Sequence, residues 1–441
     1  MRGVPVLLAL LVLAPCALPR HAAGQVPAVP PPRQEGPPAG PPPTLPQPPV
    51  SSHGISSWFN PATAPFLPIP EIVEDPDSGT TLGIIPTWLK TDEQHQIRQI
   101  IAPDVMHNTY FGWGVHGRIY GYPTTDEQWS FTAEVKQRVE RGVDAEYQLG
   151  RLRDRRWSIN LSLIYDRDGT QRFYGIGNRS PEADQTNFTD EQELFQAQVG
   201  LNLTRAWQLK YTLRTRIVNA EPGTLPRIPS TDVLFPGLRG LNTSKEFLNR
   251  LAVVYDARDD PTVPTRGMEW LAYGGMASRG GLFNDSLYSE AGLDGRAFWP
   301  IAHGTVLAAH IALRYMPRAD RAPFWALSTL GGGQSVIAGA QPLRGFGAGR
   351  FYDRNSFSAT VEARHTLGTL PIASTRLDLE VAPFIDLGRV FSSLGTFPVS
   401  DLHKVFGVGF RGVARPFVVG YVDVGYGSEG AAVFTGINYP F

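Results

Sequence analysis

The sequence predicts an all-β protein: a transmembrane antiparallel β-barrel of sixteen strands, preceded by a signal peptide and a disordered proline-rich segment. Three observations predict this fold class. Apolar and polar residues alternate along most of the chain after residue 80. The apolar faces hold about five successive outward residues, which matches the height of a membrane-spanning β-strand. The opposite faces carry charged and amide side chains, which a dry core would not tolerate.

The segment 207–217 shows the alternation most clearly. One face carries apolar and aromatic residues, and the other face carries glutamine, lysine, threonine and arginine. Charges such as Lys210 and Asp378 are expensive to bury without partners, so they indicate a wet interior. Aromatic residues at strand ends are typical of the two membrane interfaces: Trp129, Trp157, Tyr165, Trp207, Trp270 and Trp299.

Composition narrows the class of protein. The chain has 441 residues and a formal net charge of -1, which excludes a nucleic-acid binder driven by bulk charge. Hydrophobic residues make up 42%, which suits a barrel in which only alternate residues face lipid. After residue 20, no apolar run is long enough for a membrane-spanning helix.

The N-terminus predicts a signal peptide over residues 1–24. Arg2 gives a positive start, residues 4–18 are apolar, and Ala22-Ala23-Gly24 offers a cleavage site. Cys16 is the only cysteine and lies within this peptide. A lipoprotein site at Cys16 is an alternative, against which the preceding proline argues. The mature protein is therefore expected to have no disulfide, thiol nucleophile or cysteine metal site.

Two further regions follow. Residues 25–79 are rich in proline and predict a disordered periplasmic segment, either a spacer or a docking segment for an aromatic groove. Residues 80–441 predict the barrel. Its three long connections, 317–354, 220–245 and 167–189, all fall at one end, as in barrels with long outer loops. Residues 80–108 can alternatively form a plug or a lead into the barrel, with a short helix near Asp92.

The C-terminal segment 430–441 predicts the strand that closes the barrel, because an open edge is unfavourable in lipid. Its inward face is small or polar, with Ala432, Gly436 and Asn438. Its expected lipid-facing residues are Val433, Ile437, Tyr439 and Phe441.

Four motifs resemble a known family. Leu343-Arg344-Gly345-Phe346, in the longest connection, is similar to the (V/L/I)RGF signature of BamA/TamA-like outer-membrane barrels, also called the bacterial surface antigen family. Residues 256–267 (DARDDPTVPTRG) resemble that family's short turn between two strands. Residues 173–178 (FYGIGN) and 384–391 (FIDLGRVF) resemble two further family segments. The resemblance covers about residues 80–441.

The resemblance implies a lumen lock, in which the loop arginine pairs with acidic residues of later strands. Carried over, Arg344 would meet Glu362 and Asp386, which the alternation also places on the inward face. A guanidinium suits this role because it stays charged and binds carboxylates through two nitrogens. A solvated loop arginine beside two ordinary lumen acids is the alternative.

The family's larger members carry periplasmic POTRA domains, but residues 25–84 show no alternating strand and helix pattern. We therefore expect a compact member without them. The resemblance implies a bacterial outer-membrane protein that inserts or translocates polypeptide or lipid. The expected partners are outer-membrane lipid and a polypeptide client or periplasmic accessory protein, and no nucleic acid.

Other functions stay open. A passive porin-like channel or a surface structural barrel without transport would show the same alternation. An outer-membrane lipase with Ser-His-Asn chemistry ranks below these, because no G-x-S-x-G or H-E-x-x-H motif is present. We expect no enzymatic activity, no catalytic residues, no cofactor and no metal site.

Overall fold

The computed structural model describes residues 67–75, 79–93, 97–283, 285–334, 340–372, 375–396, 401–414, 417–436 and 439–441. The predicted signal peptide and residues 25–66 of the predicted proline-rich segment lie outside this part. Strands dominate the described residues. None of the helices found there is long and apolar enough to span a bilayer.

Twenty-three strands and one short α-helix follow along the described chain. In order they are β1 (Leu67–Asp75), β2 (Gly79–Thr91), β3 (Ile97–Ile101), β4 (Asp104–Asn108), β5 (Gly112–Thr124), β6 (Glu127–Lys136), β7 (Arg141–Leu149), β8 (Trp157–Asp168), β9 (Arg172–Phe173), β10 (Thr186–Asn202), β11 (Trp207–Pro222), α1 (Thr231–Leu234), β12 (Asn242–Asp256), β13 (Gly267–Ala277), β14 (Leu287–Ala302), β15 (Thr305–Arg321), β16 (Ser328–Leu330), β17 (Ala340–Gln341), β18 (Phe351–Asp353), β19 (Asn355–Ile372), β20 (Thr375–Phe391), β21 (His403–Ala414), β22 (Phe417–Gly427) and β23 (Gly430–Gly436).

One large antiparallel sheet joins twenty of these segments, which confirms the predicted fold class. Strands that follow one another in the chain pair side by side. β3 and β4 both pair with β2 and with β5, so they form one strand interrupted at Ala102-Pro103. β9 pairs only with the first two residues of β10. About eighteen successive strands therefore make up the described wall, within the range of known membrane barrels.

The structure adds two strand positions to the sixteen predicted. β1 lies within the segment assigned to the proline-rich region, and it pairs with β2 along its whole length. Proline is tolerated on an edge strand, so Pro68 and Pro70 do not prevent the pairing. The β3–β4 strand fills the stretch for which a plug or a helix was the alternative. Pro103 obscures its alternation because the strand breaks there.

The predicted lipid-facing alternation is present in the sheet. In β11, Trp207, Leu209 and Tyr211 are exposed on the outer face, whereas Gln208 and Thr212 are buried on the inner face. Exposed large apolar side chains recur on the outer faces of neighbouring strands, among them Trp113, Leu163, Phe195, Leu251, Ile385 and Phe406. An apolar exterior around a polar interior is what a bilayer requires of a barrel.

The three long connections lie at the same end of the barrel, which we call the long-loop end. They join β8 to β10, β11 to β12 and β15 to β19. The last one folds back on itself through a small sheet in which β16 pairs with β17 and β18. Beneath it lies a cluster of buried residues that includes Phe173, Phe188, Leu248, Met316, Phe324 and Tyr352.

The first and last strands of the wall meet at a seam. β1 lies beside β23, but no backbone ladder joins the two strands among the described residues. β23 pairs with residues 421–427 of β22 and ends at Gly436. Within the described residues, the pairing with β23 thus covers residues 421–427 of β22 and not residues 417–420.

The C-terminal prediction is wrong in part. Val433 lies on the outer set of β23, between buried Ala432 and Phe434. Tyr439 and Phe441 lie inside the lumen instead of facing lipid. The Tyr439 hydroxyl donates to Glu380 Oε2 at 2.8 Å, and the Phe441 ring stacks on His310 at 5.2 Å. Ile437 lies outside the described residues.

The reason is local. The charged lumen offers Tyr439 better partners than the outer face does. Its ring lies 3.8 Å from the Arg364 guanidinium, a cation–π contact, while its hydroxyl keeps a hydrogen bond. Phe441 completes a small apolar cluster with Phe298 and Ala308.

Candidate functional site

The long connection between β15 and β19 carries the candidate site into the lumen. After β17 it turns at Leu343-Arg344-Gly345-Phe346, which is fully buried. Backbone bonds within the loop hold this turn: the N–H of Leu343 donates to Gly332, and that of Phe346 donates to Leu343. The turn therefore places Arg344 against the inner faces of β19, β20 and β22.

Arg344 binds three carboxylates at once. Its Nη2 and Nε lie 2.8 Å and 3.0 Å from the two oxygens of Asp386, and its backbone N–H also donates to Asp386 at 3.0 Å. Its Nη1 lies 3.2 Å from Glu362 and 2.7 Å from Asp423. All four side chains are fully buried. The structure thus brings together the three residues of the proposed lumen lock and adds a fourth.

Two further arginines complete the group, which we call the Arg344 network: Arg344, Arg364, Arg411, Glu362, Asp386 and Asp423. Arg364 Nε lies 2.6 Å from Glu362, and Arg411 Nη2 lies 3.0 Å from the same carboxylate. Three guanidinium groups face three carboxylates, so the network is electrically balanced. Buried charges are tolerated when they are paired in this way.

Burial and charge act against each other on the Arg344 pKa. Burial alone would lower the pKa of this guanidinium. The carboxylates of Asp386, Glu362 and Asp423 outweigh that effect and raise the pKa above its ordinary value. Arg344 therefore carries its positive charge at every pH at which the barrel is folded.

Apolar contacts flank the network. The guanidinium of Arg344 lies 3.5 Å from the Phe384 ring, a cation–π contact. Leu343 and Phe346 pack into a buried cluster with Leu330, Phe351, Phe384, Val390 and Val405. The loop turn is thus held by charge on one side and by apolar packing on the other.

Close backbone approach explains two glycines at the turn. A Cβ atom on Gly425 would lie 1.7 Å from the Arg344 carbonyl oxygen. A Cβ atom on Gly345 would lie 2.6 Å from the Gly427 nitrogen. Glycine is therefore needed on both the loop and β22 for the loop to reach its position.

A second buried polar group holds the first part of the same loop. Arg214 Nε lies 2.8 Å from Glu246, whose other oxygen accepts the Tyr288 hydroxyl at 2.5 Å. Arg314 lies 2.8 Å from Glu290 and within 3.5 Å of the Ser328 hydroxyl in β16. The loop is therefore fixed to the wall at two places on different strands.

The FYGIGN segment, residues 173–178, connects neighbouring loops. The Phe173 ring packs edge-on against Phe324 and Tyr352 of the long loop, at 5.3 Å from each. The Asn178 side chain accepts the N–H of Val390 and donates to the Asp401 carbonyl. This segment therefore ties three connections together at the long-loop end.

The turn at residues 256–267 joins β12 to β13 at the opposite end. Arg258 binds Asp256 at 2.9 Å, and Asp259 accepts the backbone N–H groups of Thr265 and Arg266. Val263 is buried in the lumen against Val413, with Tyr439 beside them. The turn therefore closes part of the short-turn end of the lumen.

Several residues of the site were not predicted from the sequence. Asp423 lies between outward Val422 and Val424, so the alternation alone places it in the lumen, but no motif pairs it with Arg344. The carboxylates at Glu246 and Glu290 likewise follow from alternation, while their arginine partners on other strands do not. Within the described chain, no group of three His, Cys, Asp or Glu residues is placed to hold a metal ion.

Comparison with known proteins decides the family. The Omp85 superfamily domain matches residues 125–411, which is more than half of the chain. The chain belongs to the Omp85 superfamily. The resemblance drawn from the four motifs is thereby confirmed, and this Omp85 barrel is a protein of the bacterial outer membrane.

The solved structures similar to this chain include those of BamA and CdiB. BamA from Haemophilus ducreyi lacking POTRA domains 1–3 is 12% identical, with a TM-score of 0.49 over 87% of this chain and 77% of that chain. CdiB from Escherichia coli is 11% identical, with a TM-score of 0.42 over 87% of this chain and 68% of that chain. No curated protein is significantly similar to this Omp85 barrel.

Proposed function

We propose that this Omp85 barrel inserts or translocates polypeptide in the outer membrane, with the seam between β1 and β23 as the lateral route. The observation that carries the proposal is this seam. Among the described residues, β23 pairs with β22 over seven residues, and no ladder joins it to β1. Unpaired strand edges bind extended chains readily, so such a seam suits an incoming strand.

The lumen supports the same route. A cavity of about 1270 Å³ is lined by inward residues such as Gln148 and Lys210. The same cavity is also lined by Phe410 and Val422, whose side chains lie on the exposed outer face. Thr435 of β23 also lines this cavity, so the cavity extends to a strand of the seam. A client chain could therefore pass sideways without crossing the long-loop end.

The Arg344 network supports a plugged resting state. It holds residues 343–346 against three strands of the wall, so the long loop occupies the lumen towards its outer end. A passive porin keeps an open aqueous path, and its conductance would be steady. The proposed barrel would instead show small, irregular conductance that rises when residues 322–354 are removed.

The test is a disulfide across the seam. In a Cys16→Ser background, one cysteine is placed within β1 and one within β23, and the oxidised protein is reconstituted in liposomes. Insertion of a urea-unfolded barrel polypeptide is measured by protease protection. We expect oxidation to abolish insertion and reduction to restore it.

The matched control is a disulfide between Val408 and Val424, which already face each other in the ladder between β21 and β22. It should leave insertion unchanged in both redox states. Equal insertion with the seam open and closed would refute the lateral route. Steady conductance of the unmodified protein would favour the passive channel.

A further inference from the structure

The inner wall formed by β6, β7, β8 and β10 is strongly acidic. Six carboxylates point inward from these neighbouring strands, and we call them the acidic wall: Glu134, Asp144, Glu146, Asp166, Asp168 and Asp190. Their inward direction follows from Phe131, Val143, Leu163 and Phe195, which are exposed on the outer face of the same strands.

These carboxylates lack the arginine partners that acids elsewhere in the lumen have, and a ring nitrogen of His116 lies 3.9 Å from Glu134. Among the described residues, no Arg or Lys nitrogen lies at ion-pairing distance from any of the six. The nearby cations are engaged elsewhere: Lys136 pairs with Glu140, and Arg216 donates to Gln192 at 3.0 Å. By contrast, Glu246, Glu290, Glu362 and Asp386 are all paired with arginine.

Asp190 provides a second, independent observation. It is only 8% exposed, and its Oδ1 has no hydrogen-bond partner in the described part of the chain. It lies directly opposite Asp168 in the ladder between β8 and β10, on the same face. Asp168 only accepts hydrogen bonds here, from Thr170 and Gln171, so it offers no donor to Asp190. A buried carboxylate without a hydrogen-bond donor would be stabilised by a bound cation.

Two carboxylates of the acidic wall converge over a glycine. Gly142 lies between Glu134 and Asp166 in the register of β6, β7 and β8. A Cβ atom on Gly142 would lie 3.3 Å from Asp166 Oδ1 and 3.6 Å from the Glu134 side chain. The absence of a side chain on Gly142 therefore lets two carboxylates converge, and one basic group placed over them would contact both.

We infer that the acidic wall binds basic side chains of an extended polypeptide segment. Asp144 and Glu146 are two residues apart on one strand, as are Asp166 and Asp168, which spaces each pair by about 7 Å. An extended chain with lysine or arginine at alternate positions has the same spacing. Since no three acidic groups of the described chain are placed to hold one metal ion, the wall suits several separate cations.

Access to the wall comes from the main cavity. Glu146 lines that cavity together with Gln148 and Asn160, and Asp144 continues the same face towards the long-loop end. A segment that entered the cavity would therefore meet the acidic wall next. This inference rests on the proposed function and names the class of client it would favour.

The test is binding of short fluorescent peptides to the full chain in detergent, measured by anisotropy at low ionic strength. One peptide alternates lysine and serine, and its match alternates glutamate and serine. The variant combines Asp144→Asn, Asp166→Asn and Asp190→Asn. We expect the wild type to prefer the lysine peptide by about tenfold or more, and the variant to lose most of that preference.

The matched control is Glu193→Gln, which removes the same charge from the exposed outer face of β10. It should bind as the wild type does. Heat-dependent mobility on gels verifies folding, and Asp144→Asn alone serves if the triple variant is unstable. An unchanged preference in the triple variant overturns the inference.

The two proposals fail separately. Peptide binding in detergent does not need the seam to open. If insertion proceeds with the seam disulfide closed, the lateral route is refuted while the acidic wall is still tested. If the lysine peptide shows no preference while the seam disulfide blocks insertion, the acidic wall is refuted alone.

Discussion

Arg344 and Asp386 form a forked pair inside the barrel, with two side-chain bonds of 2.8 Å and 3.0 Å and a third bond from the Arg344 backbone. The loop residue and the strand residue are 42 positions apart in the chain. The pair thus fixes the middle of the longest connection to β20. Bidentate pairing of this kind is the strongest geometry available to an arginine.

Replacing Arg344 should release the loop without unfolding the wall. Arg344→Ala leaves three buried carboxylates without their shared partner, which costs about 3–5 kcal/mol. We expect faster protease cleavage within residues 322–354 and a lower heat-modification temperature on gels. The control is Arg354→Ala, whose ion pair with Asp320 is largely exposed and should matter little. Equal protease sensitivity of the two variants would contradict the role of Arg344.

The two aspartates of the network should differ in effect. Asp386 accepts three bonds from Arg344, whereas Asp423 accepts one from Arg344 and a longer one from Arg411. Asp386→Asn should therefore expose the loop to protease more than Asp423→Asn does, by about 1–2 kcal/mol in opening free energy. Hydrogen exchange of residues 340–350 measures the difference. The reverse order would show that Asp423 is the main anchor.

Gly425→Ala should displace the loop without removing any charge. The new methyl group would overlap the Arg344 carbonyl oxygen, so the turn could not seat. We expect the loop sensitivity of Arg344→Ala with the network residues all present. Gly274→Ala is the control, because its added Cβ would lie 4.0 Å from the Glu290 carbonyl oxygen, an ordinary contact. If Gly425→Ala keeps the wild-type cleavage pattern, the close approach of β22 to the loop is not required.

Glu140, in the connection between β6 and β7, predicts a pH dependence. Burial, and next the charge of Asp168, raise the pKa of this carboxyl from 4.5 to about 7, although Lys136 lies beside it. Between these two values the folded state holds a proton that the unfolded state releases. Stability should therefore fall as pH rises from about 4.5 to about 7, by roughly 1–3 kcal/mol.

The measurement is thermal unfolding in detergent across that pH range for wild type and Glu140→Gln. The variant should lose this part of the pH dependence, since its amide does not titrate. Glu182→Gln, at an exposed position of another connection, is the control. A wild-type stability that rises relative to Glu140→Gln over this range would have the wrong sign.

The strands of the wall were predicted well because the alternation of apolar and polar residues distinguishes the outer face of each strand from its inner face. Residues 195–203 and 207–217 alternate, with Thr215 as the one polar residue on the outer face, and the structure follows this pattern. β1 was missed because its prolines resemble those of the preceding segment. The course of Tyr439 and Phe441 was missed because they continue the alternation of β23, while the charges that draw them inward lie on β15, β19 and β20.

Only the part of the site that the motif resemblance covers was predictable from the sequence. Arg344, Glu362 and Asp386 follow from the resemblance and the inward alternation. Their meeting with Asp423 and Arg411 depends on how β19 to β22 curve around the loop, which no local pattern records. The pairing of Arg214 with Glu246 could not be predicted for the same reason, since several other inward arginines could have paired with Glu246.

The charge balance of the Arg344 network has a consequence for how the long loop returns to the lumen after it has moved out. When residue 344 withdraws, two guanidinium groups stay behind with three carboxylates, so the vacated pocket becomes a net anion. This negative charge would attract Arg344 back to the pocket across several ångströms of water. An arginine of a passing client chain would be attracted in the same way. It would therefore compete with Arg344 for the pocket.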